Sequence, residues 1–266
     1  MGARVTMTSR RLALALGLMA TFTGWVQAAD LMDEVRSRGA LRVAVEGTYA
    51  PFNFKDPKTG QMTGYDIDVA RLVADRLGVR PQFVPLEWSA VLPAVASGKV
   101  DVAISQVVIT PERKRTFDFS TPYTYSSFQL IVRANERANY LSLADLKGRT
   151  VGVRQGSVFE QLVETVPGIE VKRYPAAPEN LQDLAFGRID AVLDMSLMVA
   201  YLVKTSQLPV KAGPRVGRVE SVGVAMRKGD PQLRETVDDI LEQARADGSL
   251  RTISMKWFGI DASAAP

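Results

Sequence analysis

Residues 64–77 read GYDIDVARLVADRL, a stretch whose apolar residues recur at the three- and four-residue spacing of one helix face. These apolar positions are Ile67, Val69, Leu72, Val73 and Leu77. Gly78 follows where a glycine commonly ends a helix in the left-handed conformation. The stretch therefore predicts an amphipathic helix over residues 65–77, and the Pro and Gly residues of 56–64 predict a hairpin turn before it.

Short apolar runs lie on both sides of this helix and alternate with further helical patterns. The predicted strands cover residues 41–46, 81–85, 100–104, 150–153, 171–174 and 191–193, with extended segments at 128–132 and 221–226. The other predicted helices cover residues 31–38, 91–97, 158–166, 180–186 and 231–246. This alternation predicts an α/β fold with parallel strands. Two such blocks without a flexible linker predict two lobes, with a ligand cleft at the carboxyl ends of their strands.

The first 28 residues have the layout of a cleaved secretory signal. Three arginines (Arg4, Arg10 and Arg11) precede an apolar stretch over residues 12–26, and Val26-Gln27-Ala28 offers a small-residue cleavage site. A membrane anchor needs about twenty apolar residues, and this stretch is shorter. We therefore expect a signal peptide over residues 1–28 and a periplasmic protein. The formal net charge of +4 falls to near +1 without those residues, so nucleic-acid binding is not expected.

The chain contains neither cysteine nor histidine. This composition excludes disulfides, thiol catalysis, a Ser-His-Asp triad and zinc sites built on His or Cys. It also excludes a lipid anchor on an N-terminal cysteine. We expect no metal and no cofactor.

Four motifs, in the same order along the chain, carry a resemblance to a known family. They are Gly64-Tyr65-Asp66-Ile67-Asp68-Val69, the block from Thr110-Pro111-Glu112-Arg113 to Tyr123, Gly187-Arg188-Ile189-Asp190-Ala191, and Lys256-Trp257-Phe258-Gly259. With them the chain resembles the polar amino-acid family of periplasmic solute-binding proteins, the receptors of ATP-driven (ABC) importers. Residues 46–49 and 105–107 are similar to the cystine-binding branch.

The resemblance implies an α/β periplasmic binding protein fold of type II, with two lobes joined by two hinge strands. Residues 30–124 plus 222–266 would form the first lobe and residues 125–221 the second. The implied function is capture of a polar amino acid, with a cystine-like compound as one candidate, and its delivery to the membrane permease subunits of an ABC importer. We expect a monomer that is not an enzyme.

The resemblance implies that Arg113 anchors the ligand's α-carboxylate, which a guanidinium can hold with two parallel hydrogen bonds. A surface arginine in the basic run Arg113-Lys114-Arg115 is the alternative. The resemblance implies that the turn at Ser157, with Val158 beside it, binds the same carboxylate, although Ser157 is also an ordinary helix N-cap residue. Tyr49 and Trp88 match positions, at strand-to-loop ends, where aromatic rings flank the ligand side chain. Glu46 and Arg154 could meet polar groups of the ligand, and a solvated strand-end acid is the alternative for Glu46.

Several positions of the candidate site depart from the family pattern. The site includes Ser105, Gln106 and Val108, of which Gln106 replaces a common glycine and Val108 lacks the usual hydroxyl. Met195 stands where the family places the aspartate that pairs with the ligand's α-ammonium, and Asp194 comes one residue early. One step along a strand turns a side chain to the opposite face. Either Asp194 or Glu46 substitutes for that aspartate, or the ligand lacks an ordinary α-ammonium.

These departures keep two other hypotheses open. One is a receptor for a modified carboxylate such as an opine or an ectoine-like compound. The other is an enzyme similar to cyclohexadienyl dehydratases, in which Asp194 or Glu46 would act as the acid.

Overall fold

The structure is a computed structural model that describes residues 1–2 and 30–266. Apart from residues 1–2, the predicted signal segment and its cleavage site lie outside the described residues. Among the residues that are described, no helix is long and apolar enough to cross a membrane.

The described chain alternates between helices and short strands. The helices are α1 (Leu31–Arg38), α2 (Tyr65–Leu77), α3 (Trp88–Ala96), α4 (Val158–Glu164), α5 (Ala177–Ala185), α6 (Ser196–Thr205), α7 (Pro231–Ala246) and α8 (Ser249–Phe258). The strands are β1 (Ala40–Val45), β2 (Thr48–Tyr49), β3 (Asn53–Lys55), β4 (Met62–Thr63), β5 (Arg80–Pro85), β6 (Val102–Ala103), β7 (Phe117–Phe119), β8 (Thr124–Arg133), β9 (Thr150–Arg154), β10 (Glu170–Tyr174), β11 (Ala191–Met195), β12 (Val210–Val222) and β13 (Ala225–Arg227).

Two five-stranded sheets form the cores of two lobes, which confirms the predicted α/β class. The first sheet has the order β5-β1-β6-β13-β7, and the second has the order β10-β9-β11-β8-β12. In each sheet the first three strands are parallel, as predicted. The remaining strands pair antiparallel, so both sheets are mixed rather than parallel throughout. We keep the predicted lobe boundaries, 30–124 plus 222–266 and 125–221, as a proposal.

Helix α2 forms over the residues that the sequence predicts. Its C-cap, Gly78, is left-handed with φ of 74°, and its buried face includes Ile67, Val69 and Val73. Helices α7 and α8 pack against α2, which brings the end of the chain back to the first lobe. The helix thus joins the start and the end of the chain in one core.

The chain crosses between the two sheets twice, and the crossings lie side by side. Between β7 and β8, the Ser120 amide donates to the Val224 carbonyl at 3.0 Å, and the Tyr123 amide donates to the Val222 carbonyl at 2.9 Å. The Val224 amide in turn donates to Ser120 Oγ at 2.9 Å. The predicted extended segment 221–226 is therefore interrupted, because β12 ends at Val222 and β13 begins at Ala225.

Some elements differ from the prediction where sequence signals are weak. Helix α3 begins at Trp88, three residues before the predicted start, so Trp88 opens a helix instead of ending a strand. Strand β11 extends two residues further, to Met195. Helix α6 and the long strand β12 carry no strong pattern in the sequence, and β12 contains Gly213, Pro214 and Gly217.

Gly64 connects the small hairpin sheet β2-β3-β4 to helix α2. Its φ is 128°, and a Cβ at this position would lie 2.2 Å from the Phe52 carbonyl oxygen. The Asp66 amide donates to that same carbonyl at 2.7 Å, so the two backbone segments are held together. Only a residue without a Cβ fits between them.

We predict that Gly64→Ala lowers the free energy of unfolding by more than about 3 kcal/mol, because neither backbone segment can yield to the new Cβ. Gly60→Ala is the matched control: its φ is 70°, and a Cβ there would meet nothing within 4 Å. In this variant only the left-handed backbone conformation of alanine is unfavourable, which lowers the free energy of unfolding by about 1–2 kcal/mol. Urea unfolding of both variants measures the difference, and equal losses would contradict this account of Gly64.

Candidate functional site

The carboxyl ends of two parallel strands, one from each lobe, face each other across the cleft. Glu46 follows β1 in the first lobe, and Arg154 ends β9 in the second. Arg154 Nη1 donates to Glu46 Oε1 at 2.6 Å, and Arg154 Nη2 lies 3.7 Å from Asp194 Oδ1. The side chain of Arg154 is only 4% exposed, and both carboxylates are buried more deeply. Three charged groups are thus brought together between the lobes.

Aromatic rings surround the Arg154 guanidinium. Its central carbon lies 3.8 Å from the ring centroid of Tyr49, 5.3 Å from that of Phe159 and 5.6 Å from that of Trp88. Ring faces attract cations, and this attraction strengthens when water is excluded. Tyr49 and Trp88 therefore meet at the lobe interface around Arg154, and Phe159 is a third ring there.

Asp194 is fully buried beside the Arg154 guanidinium, and Met195 is buried in the apolar core. The Tyr49 hydroxyl donates to Asp194 Oδ1, and the Met195 amide donates to the same oxygen at 2.7 Å. The other carboxylate oxygen, Oδ2, has no hydrogen-bond partner among the described residues. Asp194 is therefore the carboxylate of β11 that reaches the cleft, one residue before the position that the family pattern suggests.

Arg113 lies on a single 3₁₀ turn, Arg113–Arg115, at the other side of Trp88. Its guanidinium carbon is 5.3 Å from the Trp88 ring centroid, and its Nη1 donates to the Val108 carbonyl at 3.0 Å. Val108 thus contributes a backbone acceptor to the site, for which no hydroxyl is needed. Burial lowers the pKa of Arg113 to about 10, so the group remains a cation at neutral pH.

Ser157 is buried at the N-cap of α4, and Val158 is the first residue of that helix. Ser157 Oγ accepts a hydrogen bond from the Glu160 amide at 3.2 Å, so the ordinary N-cap role applies to it. The adjacent Gly156 carbonyl accepts from Trp88 Nε1 at 3.1 Å. This bond connects α3 of the first lobe directly to the Ser157 turn of the second.

A buried hydrogen-bond network lies behind Glu46 and contains Ser105 and Gln106. Asn53 Oδ1 accepts from the amides of Glu46 and Gly47 at 2.8 and 3.0 Å. Asn53 Nδ2 donates to Ser105 Oγ at 3.2 Å and to Asp66 Oδ2 at 2.8 Å. The side chains of Ser105 and Gln106 thus belong to this hydrogen-bond network. The other predicted residues that lie together at the lobe interface are Tyr49, Trp88, Arg113, Arg154 and Asp194.

Asp66 receives three hydrogen bonds at the centre of this network. Besides Asn53, the donors to it are Gln106 Nε2 at 2.8 Å and the Tyr123 hydroxyl at 2.9 Å. Gln106 has a φ of 52°, in the left-handed region, which explains why glycine suits this position. Asp66 and Tyr123 lie within the family motifs of the sequence, whereas no sequence motif marks Asn53 or Phe159.

Burial controls the protonation of the site carboxylates. It raises the pKa values of Glu46 and Asp194, and the positive charge of Arg154 opposes that rise. Burial acts against the charge of Arg154 as well, but Glu46, Tyr49 and Asp194 together raise its pKa. Within the residues that the structure describes, no cluster of acidic side chains is arranged to hold a metal ion.

Comparisons with known proteins identify the family of the chain. Residues 41–260 match the family model described as bacterial extracellular solute-binding proteins, family 3. The L-cystine-binding protein TcyJ of Escherichia coli (strain K12) is 41% identical over 87% of this chain and 87% of its own length. The L-cystine-binding protein TcyA of Bacillus subtilis (strain 168) is 34% identical over 88% of this chain and 87% of its own.

Solved structures show the same fold. A crystal structure of a variant of ArgBP from T. maritima superposes with a TM-score of 0.82 at 32% identity, covering 86% of this chain and 99% of that one. The ancestral amino acid-binding protein AncCDT-1, described as a precursor of cyclohexadienyl dehydratase, superposes with a TM-score of 0.80 at 37% identity. That match covers 86% of this chain and 100% of AncCDT-1.

We predict that Asp66 makes stability fall as pH rises from about 4 to about 7. Burial raises the pKa of Asp66 in the folded protein to about 7, against about 3.9 for an unfolded aspartate. Folding takes up a proton between these values, so the stabilising contribution is complete below pH 4 and is lost as pH rises through 7. Asp66→Asn should remove this part of the slope, measured as unfolding free energy against pH, and an unchanged slope would contradict the assignment.

Proposed function

Because this chain belongs to the bacterial extracellular solute-binding proteins of family 3, we propose that it captures a polar amino acid between its two lobes and delivers it to the permease subunits of an ABC importer. The observation that carries this proposal is the gathering of two guanidinium groups and two carboxylates around aromatic rings at the lobe interface, where Arg154, Glu46 and Asp194 are buried and Arg113 is half-buried. A zwitterionic ligand offers the charges that such a set of groups binds. L-Cystine is the first candidate, because it is the ligand named for the relatives TcyJ and TcyA.

In this proposal Arg113 anchors the α-carboxylate of the ligand. Its guanidinium fork has five N–H donors, one of which is used by the Val108 carbonyl. Trp88 stands beside Arg113 and is hydrogen-bonded to the Gly156 carbonyl, which brings the Ser157 turn close to the same carboxylate. Ser157 and Val158 would complete the contact from the second lobe.

Asp194 takes the α-ammonium of the ligand. Its Oδ2 is buried and has no partner among the described residues, so it is an acceptor that can receive an N–H donor. Glu46 Oε2 is a second acceptor of this kind. With Asp194 in this role, the methionine at 195 no longer conflicts with an ordinary amino acid as ligand.

The mode of action is closure of two hinged lobes around the ligand, as in other two-lobed receptors. The paired crossings at Ser120–Tyr123 and Val222–Val224 would serve as the hinge. We further propose that the protein is exported after cleavage of residues 1–28, acts in the periplasm as a monomer, and releases its ligand chemically unchanged. The relatives described above are named as binding proteins, which supports a receptor over an enzyme.

Arg113→Ala should weaken binding of L-cystine by about 2–5 kcal/mol, the range for truncating one partner of a buried charge pair. Isothermal titration calorimetry measures this loss. Arg115→Ala is the matched control, because Arg115 is exposed on the same turn and should leave the affinity unchanged. Equal affinities for wild type and Arg113→Ala would remove Arg113 as the anchor.

Ligand binding should change the intrinsic fluorescence of the protein, and the change should come from Trp88. This ring lies in the cleft and bonds across it to Gly156, whereas Trp257 bonds to Asp68 within the first lobe. Trp88→Phe should abolish the ligand-induced change, and Trp257→Phe should preserve it. A change that survives in Trp88→Phe and disappears in Trp257→Phe would contradict closure at Trp88.

A further inference from the structure

The cleft contains a cation that belongs to the chain itself. The Arg154 guanidinium lies 3.8 Å from the Tyr49 ring centroid, with the Phe159 and Trp88 rings at 5.3 and 5.6 Å. We call these three rings the aromatic box. Stacking against ring faces is a favourable environment for a planar cation. The position that would suit the end of a cationic ligand side chain is thus already filled by Arg154.

Arg154 also engages the carboxylates that could attract a second cation. Its Nη1 bonds to Glu46 Oε1 at 2.6 Å, and its Nη2 lies 3.7 Å from Asp194 Oδ1. A cationic side chain entering the cleft would have to compete with Arg154 for both carboxylates. Because all three groups are buried, the competing positive charges would meet with little screening by water.

The charges of the cleft balance before any ligand is considered. Arg113 and Arg154 contribute two positive charges, and Glu46 and Asp194 can contribute two negative ones. The α-ammonium and α-carboxylate of an amino acid add no net charge, so a neutral side chain preserves the balance. A cationic side chain adds one positive charge that no group of this set compensates, which is unfavourable in a buried site.

The unpartnered atoms of the site favour the same ligand class. Among the described residues, Arg154 Nε has no acceptor, and Glu46 Oε2 and Asp194 Oδ2 have no donor. A ligand that satisfies all three must bring both acceptors and donors. A guanidinium or ammonium side chain brings donors only and would leave Arg154 Nε unpaired.

We propose that Arg154 is the specificity-determining residue that makes this cleft reject amino acids with cationic side chains. It does so by filling the aromatic box and pairing with Glu46 and Asp194. Neutral amino acids, and those such as cystine whose second end is itself zwitterionic, remain acceptable. This inference rests on the proposed function, since it concerns the charge of the ligand in the same cleft.

L-Arginine and L-citrulline test the inference, because they have nearly the same shape and differ in the charge of the side-chain end. Calorimetric titration of the wild-type protein should give at least about tenfold tighter binding of citrulline than of arginine. In Arg154→Met, which keeps an unbranched apolar stem and removes the guanidinium with its charge, arginine affinity should rise at least tenfold and the preference for citrulline should disappear.

Two control variants accompany the measurement. Arg154→Lys retains the positive charge and should continue to reject arginine. Arg251→Met removes an exposed arginine of α8 and should leave every affinity unchanged. Melting temperatures identify any variant that fails to fold. If Arg154→Met does not fold, the citrulline-to-arginine ratio of the wild type decides the question alone.

The outcomes separate this inference from the proposal on which it rests. Wild-type protein that binds arginine as tightly as citrulline, or a folded Arg154→Met that gains no arginine affinity, overturns the role of Arg154 while the receptor function stands. If the wild-type protein binds none of L-cystine, L-citrulline, L-arginine and the other common amino acids, the receptor function is overturned, and this inference with it.

Discussion

The Arg154 guanidinium of one lobe pairs with the Glu46 carboxylate of the other, and both groups are buried. Burying either charge without the other would be unfavourable by several kcal/mol, so the two groups are paired where the lobes meet. Asp194 and the Tyr49 ring complete the surroundings of the guanidinium. Three charged groups from the two lobes, Arg154, Glu46 and Asp194, are therefore paired in one buried cluster at the lobe interface.

Two crossings of the chain connect the two sheets, and they are the hinge of the proposed closure. Because Ser120 and Tyr123 are hydrogen-bonded to Val224 and Val222, the crossings form one short ladder between the lobes. Gly223 lies within it, where a Cβ would be 3.1 Å from the Ser120 carbonyl oxygen. The network of Asp66, Asn53 and Gln106 holds the first-lobe side of the cleft in place behind Glu46.

Helices whose ends are marked by residues close to them in sequence could be predicted from the sequence alone. Helices α2 and α7 begin and end where predicted, because periodicity, a C-terminal glycine or an N-terminal proline mark them. The position of Asp194 was not predictable, because its partner Tyr49 is 145 residues away and lies on the other lobe. The sequence marked Arg154 only as a residue that could meet polar groups of the ligand, and the packing of the lobes gives it three rings and two carboxylates.

A crystal structure of the protein in complex with L-cystine tests this account most directly. We predict that Arg113 binds one carboxylate of the ligand and Asp194 binds an ammonium group of the ligand. Arg154 should still be paired with Glu46 inside the aromatic box. A ligand that occupies the aromatic box itself while Arg154 points to solvent, or a ligand that Arg113 does not contact, would contradict it.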